Sequence, residues 1–351
     1  MVTRIGINGF GRIGRMCLRA ALQNDDIEVV AMNSTSNAEA SAHLLKYDSI
    51  HGRLSNEIEA TDNEIIIDGK IIKVLSDRNP ANLPWGKLGV DIVLEATGKF
   101  TSGKDCSVHL RNGAKKVIIT APAKDSVPTL VMGVNEQSYN PKVHHVVSNA
   151  SCTTNCLAPV VKVLNDRFRI VNGLMSTVHA FTTDQRSLDN SHNDPRRSRS
   201  CMQSIVPTST GAAKAIGLVI PELKGKLNGV SVRVPVPNVS LVDLVVELEQ
   251  DITVDIINES FRQAAQTSML GILEYCDEPL VSIDFLDNSH SAIVDSLSTL
   301  AVGKRTVKVL AWYDNEWGYS CRVIDLAAYV GASLSSEGSY ELKSQALAIN
   351  I

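Results

Sequence analysis

The sequence contains no long apolar run, no secretion signal and no excess of positive charge. None of the apolar stretches in its 351 residues approaches the length of a membrane-spanning helix. Such a helix needs roughly 18 to 20 residues. Residues 1–8 enter a predicted strand directly, without the apolar region of a signal peptide. The formal net charge of −4 does not favour a nucleic-acid partner. We therefore expect a cytoplasmic protein with neither a membrane partner nor a nucleic-acid partner.

Disulfide bridges and a metal centre are not predicted either. The seven cysteines are scattered, and no two of them have the Cys-x-x-Cys spacing of many zinc sites. His144 and His145 are adjacent, and neighbouring residues on a strand point to opposite faces of the sheet. These features argue against a disulfide framework and against a bound metal ion.

The length and the order of predicted elements indicate two α/β domains. Over residues 1–150, short apolar strands alternate with helical patterns, which is typical of a Rossmann-type doubly wound parallel sheet. This part is predicted to be a dinucleotide-binding domain. Its predicted strands are 5–8, 27–33, 90–95, 116–120 and 130–134, its predicted helices are 12–23 and 38–45, and a hairpin turns at Asp68 and Gly69.

Residues 151–315 are predicted to form an α+β catalytic domain with a large mixed or antiparallel sheet. Its predicted strands are 173–181, 230–236, 241–249, 281–285, 292–298 and 307–313, and its helices are 211–218 and 254–266. A helix over about 316–335 is assigned to the first domain, and residues 336–351 are predicted to be a weakly structured tail.

A glycine motif marks the predicted dinucleotide site. Gly9-Phe-Gly11-Arg-Ile-Gly14 follows a predicted strand and begins a predicted helix. In this setting the glycines permit a tight turn and let the backbone approach a pyrophosphate at the helix N-terminus. A glycine-rich turn that binds no ligand is the structural alternative.

The end of the second strand bears on the choice of cofactor. Dinucleotide sites usually place a carboxylate there to bind the ribose hydroxyls, whereas this sequence has Ser34 followed by Thr35. A carboxylate would repel the 2′-phosphate of NADP, and a serine hydroxyl can donate to it. The sequence therefore predicts NADP, or the use of both NAD and NADP.

Cys152 is the candidate nucleophile. It stands at the start of a predicted helix, within Ser148-Asn-Ala-Ser-Cys-Thr-Thr-Asn-Cys156, and a helix N-terminus favours the reactive thiolate. His179 ends a predicted strand and could act as base and acid beside the thiol. A buried structural cysteine is the alternative, which the small polar neighbours and the nearby histidine make less favourable.

Arginines supply candidate anion sites. Arg233 lies between valines on a predicted buried strand, where an unpaired charge is costly, so a bound anion explains it well. Arg197 lies in a basic loop, and an arginine cluster of this kind is more often solvated than bound to a ligand. The segment from Thr208 to Gly211 could be only a helix cap.

Together these motifs resemble the phosphorylating glyceraldehyde-3-phosphate dehydrogenases, from Arg4 to about Ala332. The resemblance is carried by the glycine motif, the cysteine motif, Pro207-Thr-Ser-Thr-Gly-Ala-Ala-Lys214, Arg233-Val-Pro and Trp312-Tyr-Asp-Asn-Glu-Trp-Gly-Tyr319. It implies oxidation of D-glyceraldehyde 3-phosphate with inorganic phosphate and NAD(P), through a cysteine thioester, in glycolysis or gluconeogenesis. Erythrose-4-phosphate dehydrogenase is the alternative, but the segment from Pro207 to Lys214 favours the triose enzyme with its inorganic phosphate site.

The resemblance also implies a role for each matching residue. Cys152 would be the nucleophile and His179 its base. The implied cofactor-binding residues are Gly9, Gly11, Arg12, Ile13, Ser34, Thr35, Arg78, Thr120, Ser191, Asn315 and Tyr319. Thr182 and Arg233 would bind the C3 phosphate of the substrate. The attacking inorganic phosphate would be bound by Ser151, Thr153, Arg197, Thr208, Thr210 and Gly211.

Two departures from the common NAD-dependent pattern favour NADP. Ser34 replaces the usual aspartate, and Ser191 stands where many NAD-specific members have a proline. With Thr35 and Arg78, these residues resemble the NADP-accepting branch of the family. In that family the loop that contains Ser191 reaches the cofactor of a neighbouring subunit, so a homo-oligomer is implied, and most simply a homotetramer.

Overall fold

The structure, a computed structural model, describes the backbone of residues 2–348 and the side chains of residues 2–334. By its contacts the chain divides into two compact units. Unit 1 comprises Met1–Leu130, Gln137–Asn149 and Ser320–Ile351, and unit 2 comprises Val131–Glu136 and Ala150–Tyr319. None of the helices in the described residues combines the length and the hydropathy that a membrane span requires.

Unit 1 is built on an eight-stranded sheet. Its helices are α1 (Arg12–Ala21), α2 (Ala38–Lys46) and α3 (Gly103–Arg111), and its strands are β1 (Thr3–Asn8), β2 (Ile27–Asn33), β3 (Tyr47–Asp48), β4 (Gly52–Arg53), β5 (Ile58–Ala60), β6 (Glu64–Ile67), β7 (Lys70–Leu75), β8 (Ile92–Glu95), β9 (Lys116–Ile119) and β10 (Val146–Ser148). The strand order is β10-β9-β8-β1-β2-β7-β6-β5, and β3 and β4 pair separately.

The first six strands of that order are parallel, as the Rossmann-type prediction required. β5 and β6 extend the sheet with antiparallel pairing. The predicted hairpin is present between β6 and β7, where Asp68 and Gly69 have φ angles of +47° and +80°. Such angles are those of a tight hairpin turn. Because β1 is parallel to both β2 and β8, the polar carboxyl ends of these three strands lie at one edge of the sheet, where parallel sheets bind ligands.

Unit 2 has a seven-stranded mixed sheet. Its elements are α4 (Cys152–Phe168), β11 (Ile170–Ala180), β12 (Val206–Ser209), α5 (Ala212–Val219), β13 (Leu227–Val234), β14 (Ser240–Leu248), α6 (Val254–Gln266), β15 (Leu273–Cys276), β16 (Ala292–Val302) and β17 (Thr306–Tyr313), and α7 (Trp317–Ala348) begins in this unit. The order is β12-β13-β11-β14-β17-β16-β15. α4, α5 and α6 pack on one face, where residues such as Leu164, Phe261 and Val309 form the core. The α/β fold class with a mixed second sheet is confirmed.

Two predicted strands are absent, and each failure has a local cause. Residues 130–134 are apolar and buried, but Gly133 has a φ of +81° and the Asn135 side chain accepts a hydrogen bond from the Val131 N–H, so the segment turns. Residues 281–285 include a short 3-10 helix, Ser282–Phe285. Asp284 caps it by accepting from the Val281 N–H at 2.8 Å. In both segments a local turn outweighs an apolar pattern.

The last helix is longer than predicted. α7 continues to Ala348 rather than ending near residue 335. The segment contains no proline and is rich in good helix formers such as Glu, Leu, Lys and Ala, so nothing in it stops the helix. Residues 349–351 of the predicted tail lie outside the described residues.

Candidate active site

The glycine motif of unit 1 forms a close-packed turn. Gly9 has a φ of +100°, and a Cβ on it would lie 2.7 Å from the Thr97 nitrogen. A Cβ on Gly14 would lie 2.1 Å from the Gly9 carbonyl oxygen, so α1 begins directly against the turn. Gly11 caps α1 without a side-chain hydrogen bond, and a Cβ there would meet nothing within 4 Å. The backbone N–H groups at the start of α1 suit an anionic pyrophosphate.

A pocket opens over this turn at the ends of β1, β2 and β8. Its volume is about 340 Å³. Five of the predicted cofactor residues line it, namely Gly9, Gly11, Ser34, Thr35 and Arg78. Arg15, Arg78 and Lys99 supply positive charge, while Leu44, Pro80 and Phe100 supply apolar surface. A phosphate-bearing nucleotide therefore fits the residues present.

Six of the eleven predicted cofactor residues do not line that pocket, and three of these six, Arg12, Ile13 and Thr120, belong to unit 1. The guanidinium of Arg12 forms a bidentate ion pair with Asp48, whose pKa is held well below its usual range mainly by this pairing, against the opposing effect of burial. Ile13 lies in the first turn of α1. The Thr120 hydroxyl donates to the Glu95 carbonyl oxygen at 3.1 Å. Arg12 and Ile13 can therefore contribute backbone N–H groups at the helix start.

At residue 34, where a carboxylate is usual, this chain has a serine whose hydroxyl already forms hydrogen bonds. Its Oγ accepts from the Ser36 N–H at 3.1 Å and lies 3.4 Å from the Ser41 Oγ. The side chain is buried against the sheet, whereas Thr35 and Arg78 are exposed at the rim of the pocket. The end of β2 thus presents hydroxyls and a nearby guanidinium, without a negative charge on residue 34.

In unit 2, the turn before α4 presents Cys152 to His179. Ser151 caps the helix by accepting from the Thr154 N–H at 3.1 Å. Ala150 has a φ of +57°, in the left-handed region that a residue with a Cβ rarely adopts. The Cys152 Sγ lies 3.5 Å from the His179 Nε2, close enough for a proton to pass between them.

Arg233 orients the histidine ring. Parallel pairing of β11 with β13 places His179 beside Arg233. The Ala180 carbonyl oxygen lies 2.7 Å from the His179 Nδ1 and accepts from the Arg233 Nη1 at 3.0 Å. Arg233 Nη1 also lies 2.8 Å from Nδ1, and because a guanidinium only donates, Nδ1 accepts in one tautomer and Nε2 carries the proton. In the other tautomer Nδ1–H donates to the Ala180 carbonyl oxygen, and Nε2 is the acceptor towards the thiol. The Nε of Arg233 is buried and has no hydrogen-bond partner among the described residues, so it remains available to an anion.

The residues predicted to bind inorganic phosphate separate into two groups. Arg197 donates from Nε to the Thr208 hydroxyl at 3.1 Å and from Nη1 to Asp184 at 2.7 Å. Asp194 accepts from the Thr208 hydroxyl at 2.9 Å and also lies 3.7 Å from Arg197. Two carboxylates thus hold the Arg197 guanidinium in place.

The second group lies at helix starts. Thr153 contacts the buried Tyr313 hydroxyl at 2.9 Å, and Ser151 caps α4. At α5, Gly211 occupies the cap position and the Thr210 hydroxyl accepts from the Ala212 N–H.

Thr182, predicted to bind the C3 phosphate, lies in the loop after β11, where its carbonyl oxygen accepts from the Gln185 N–H.

The three remaining predicted cofactor residues also belong to unit 2. The Asn315 Oδ1 accepts from the Ser240 hydroxyl at 2.7 Å, which fixes the orientation of its amide. The buried Tyr319 donates to the Ala150 carbonyl oxygen at 2.9 Å, next to the cysteine turn. Ser191 lies on an exposed loop, where its carbonyl oxygen accepts from Arg186.

Comparisons with known proteins agree with this geometry. Residues 3–103 match the family described as "Glyceraldehyde 3-phosphate dehydrogenase, NAD binding domain", and residues 151–315 match its "C-terminal domain" counterpart. The chain is 57% identical over 334 residues to glyceraldehyde-3-phosphate dehydrogenase 2 of Bacillus subtilis, which covers 95% of this chain and 98% of the relative. It is 58% identical to the Geobacillus stearothermophilus enzyme over 95% of this chain and 99% of the relative, and 56% identical to the Streptomyces coelicolor enzyme over 95% and 100%.

The chain belongs to the glyceraldehyde 3-phosphate dehydrogenase family. The family resemblance predicted from the motifs is therefore confirmed, and with it the use of NAD or NADP by the chain.

The sequence predicts a thiolate at Cys152, whereas the surroundings of its side chain in the structure favour the protonated thiol. Burial raises the pKa of the Cys152 thiol, while the charge of Arg233 and hydrogen bonds at the helix start lower it by less. Burial and the charge of Arg233 lower the pKa of His179 to about 3, so the imidazole is neutral at pH 7. In this structure the pair is a neutral thiol beside a neutral imidazole.

Sequence reasoning missed several residues that the structure brings to the sites. Asn8, Asn33 and Asp77 line the pocket of unit 1, and Tyr313 packs edge-on against the His179 ring with centroids 5.9 Å apart. A signal for the asparagines existed, because each ends a parallel strand of the dinucleotide-binding pattern. Tyr313 offered no such signal, because its partners are remote in the sequence.

Replacing Arg233 by Leu tests the electrostatic account of the thiol. Removing the positive charge takes away a contribution that lowers the pKa of Cys152, so that pKa rises and the thiolate fraction at pH 7 falls. We expect alkylation of Cys152 by iodoacetamide at pH 7 to slow by roughly three- to tenfold. Its pH profile should move upward.

The matched control is Arg199→Gln, which removes an exposed arginine paired with Asp189. It should leave the alkylation rate unchanged. An unchanged or faster rate in Arg233→Leu would contradict the account.

Proposed function

We propose that this protein oxidises D-glyceraldehyde 3-phosphate with inorganic phosphate and NAD(P)⁺ to 1,3-bisphosphoglycerate, through a thioester on Cys152. The observation that carries the proposal is the Cys152 Sγ at 3.5 Å from the His179 Nε2, backed by Arg233, in a chain of this family. The curated relatives at 56 to 58% identity are named as glyceraldehyde-3-phosphate dehydrogenases. The protein is an NAD(P)-dependent oxidoreductase that acts on an aldehyde.

Bond formation begins at the sulfur. As Sγ attacks the aldehyde carbon, His179 Nε2 accepts the thiol proton and then returns it to the aldehyde oxygen, which gives a hemithioacetal. The backbone N–H groups at the start of α4 can stabilise the developing oxyanion. Arg233, with its free Nε, is placed to bind a phosphate group of the substrate near the same histidine.

Oxidation converts the hemithioacetal into a thioester. When bound, the nicotinamide accepts the two electrons and the hydrogen of the former aldehyde C–H bond. His179 accepts the proton of the hemithioacetal hydroxyl in the same step. We assign Gly9, Gly11, Arg12 and Ile13 to the pyrophosphate. Ser34, Thr35, Arg78, Thr120, Ser191, Asn315 and Tyr319 are assigned to the rest of the cofactor.

Phosphate completes the cycle. An oxygen of inorganic phosphate attacks the thioester carbon, the C–S bond breaks, and the Cys152 sulfur recovers its proton as the acyl phosphate leaves. Arg197 and Thr208 contact each other and are assigned to this phosphate, which the Thr208 hydroxyl can reach only by turning away from Asp194. Ser151, Thr153, Thr210 and Gly211 are assigned to the same anion, and Thr182 is assigned to the C3 phosphate together with Arg233.

Replacing Cys152 by Ser tests the covalent mechanism. A serine hydroxyl is a far weaker nucleophile than a thiol at neutral pH, so C152S should lose the phosphate-dependent increase in absorbance at 340 nm by at least about 10³-fold. The dissociation constant for NAD should change little. His179→Asn should lower kcat by about 10²- to 10⁴-fold.

Two outcomes would contradict the proposal. Substantial turnover by C152S would exclude the thioester route. A higher kcat/KM for erythrose 4-phosphate than for glyceraldehyde 3-phosphate would contradict the proposal that glyceraldehyde 3-phosphate is the substrate.

We also propose that the protein accepts NADP, either in preference to NAD or as well as NAD. The support is the absence of a carboxylate at residue 34 and the presence of Arg78 and Lys99 in the same pocket, where they can pair with a 2′-phosphate. Ser191, Thr35 and Arg78 also match the NADP-accepting branch of the family.

Ser34→Asp should reverse this preference. The new carboxylate repels the 2′-phosphate and binds the ribose hydroxyls, so the ratio of kcat/KM for NADP to that for NAD should fall by about tenfold or more. Ser34→Ala is the control, because it removes the hydroxyl without adding charge, and it should change the ratio much less. An unaltered ratio in Ser34→Asp would remove residue 34 from the choice of cofactor.

A homotetramer is proposed as the working assembly. The face of the unit 2 sheet opposite α4, α5 and α6 exposes apolar side chains, and Leu174 (68% exposed) pairs across strands with Val245, beside Val178 and Val230. A contiguous apolar face of this kind favours association with a second copy. A cytoplasmic location stays a prediction of the sequence.

Light scattering after size exclusion tests the assembly. We expect a mass near four times the 38.0 kDa of the chain. Leu174→Glu should shift it towards smaller species, whereas Leu270→Glu, at an exposed position in a turn, should not. A wild-type protein that stays monomeric at micromolar concentration would refute the assembly.

A further inference from the structure

A buried run of hydrogen bonds lies beneath the cofactor pocket of unit 1. At its centre is the Glu95 carboxylate, only 2% exposed, at the end of β8. On one side the indole N–H of Trp85 donates to the His109 Nδ1 at 2.9 Å, and the His109 Nε2 lies 3.1 Å from the Glu95 Oε2. All three side chains are buried.

The other side crosses the ends of β1 and β2. Asn8 donates to the Glu95 Oε2 at 2.6 Å, and the Asn8 Oδ1 accepts from Asn33 at 2.8 Å. The Asn33 Oδ1 accepts from the Asp77 backbone N–H at 3.0 Å. The backbone N–H and the hydroxyl of Thr97 both donate to the Glu95 Oε1.

The direction of every bond in this run is determined. An indole N–H and a backbone N–H can only donate, so the run starts with donors at Trp85 and at Asp77. The His109 Nδ1 must therefore accept, and its proton sits on Nε2. Both amides are likewise fixed in orientation. All bonds converge on residue 95, which must accept without donating, and an ionised carboxylate meets that requirement.

The same residues shape the pocket. Asn8, Asn33, Asp77 and Thr97 all line it. The Gly9 N–H donates to the Asn33 carbonyl oxygen at 3.0 Å. Gly9 also packs against the backbone of residues 96 and 97 so closely that a Cβ would lie 2.8 Å from the Ala96 carbonyl carbon. The position of the glycine turn thus depends on where Glu95 holds Asn8 and Thr97.

We infer that Glu95 is a positioning residue for cofactor binding: its carboxylate is the common acceptor that holds the ends of β1, β2 and β8 and thereby the Gly9 turn under the pyrophosphate. His109 supports it from behind and has no contact with the pocket. Glu95 acts through these neighbours and does not itself take part in the reaction.

Glu95→Gln is the sharpest test, because it keeps the shape of the side chain and replaces one of the two accepting oxygens by an N–H₂ donor. The new amide N–H₂ must face either the Asn8 and His109 donors or the two Thr97 donors. We expect the dissociation constant for NAD, measured by titration calorimetry on the full-length protein, to rise about tenfold. The value of kcat at saturating NAD should stay within about twofold, because the residue acts through Asn8 and Thr97 and does not itself take part in the reaction.

His109→Gln is the matched control. Glutamine can accept from Trp85 and donate to Glu95, so it preserves the direction of the bonds while changing a side chain of the same buried pair. It should leave the dissociation constant for NAD near that of the wild type, even if the melting temperature falls. A purely structural role would instead lower the melting temperature in both variants and leave NAD affinity equal.

Thr97→Val covers the case in which Glu95→Gln does not fold. It removes one donor to the carboxylate at a half-buried site and should raise the dissociation constant by about threefold. Unchanged NAD affinity in folded Glu95→Gln protein would overturn the inference, and so would equal losses of NAD affinity in Glu95→Gln and His109→Gln. If Glu95→Gln does not fold, unchanged NAD affinity in Thr97→Val would overturn it. Each readout is a binding constant, so a failure here is distinct from absence of turnover with the proposed substrate.

Discussion

The parallel pairing of β11 with β13 is the constraint on which the reactive centre of unit 2 depends. It sets His179 beside Arg233, so one carbonyl oxygen, that of Ala180, is shared by the imidazole and the guanidinium. A slip of one residue would turn His179 to the other face of the sheet. The thiol at the start of α4 would then have no base within reach. The chemistry of Cys152 is thus a consequence of strand register as much as of its own position on a helix.

Arg233 shifts the pKa values of its two neighbours in the same direction. Its charge lowers the pKa of the Cys152 thiol, which favours the nucleophile, and also lowers the pKa of His179, which keeps the base unprotonated. The same cation thus makes the thiol a stronger acid and the imidazole a weaker base, so its net effect on proton transfer is the difference between the two shifts.

The sequence predicted the parts of the fold that follow from local pattern. The βαβ alternation, the glycine turn, the hairpin at Asp68 and Gly69 and the helix after Ser151 all have short-range signals, and the structure contains each of them. Local side-chain capping by Asp284 and the turn at Gly133 were not visible in the apolar pattern. Burial at Cys152 depends on elements distant in the sequence, so the shift of its pKa could not be foreseen. The same holds for Tyr313, which contacts Thr153 across 160 residues of sequence.

The tight contact between Gly14 and the Gly9 carbonyl oxygen restricts which residues this chain can carry at position 14. With 2.1 Å between that oxygen and a prospective Cβ, every side chain is excluded at residue 14, so the turn tolerates no gradual change. The end of β2 carries no such restriction, because Thr35 is exposed and Ser34 is held only by small hydroxyl and amide contacts. Substitutions at the strand end can therefore change the groups that line the pocket while the neighbouring glycine turn keeps its shape.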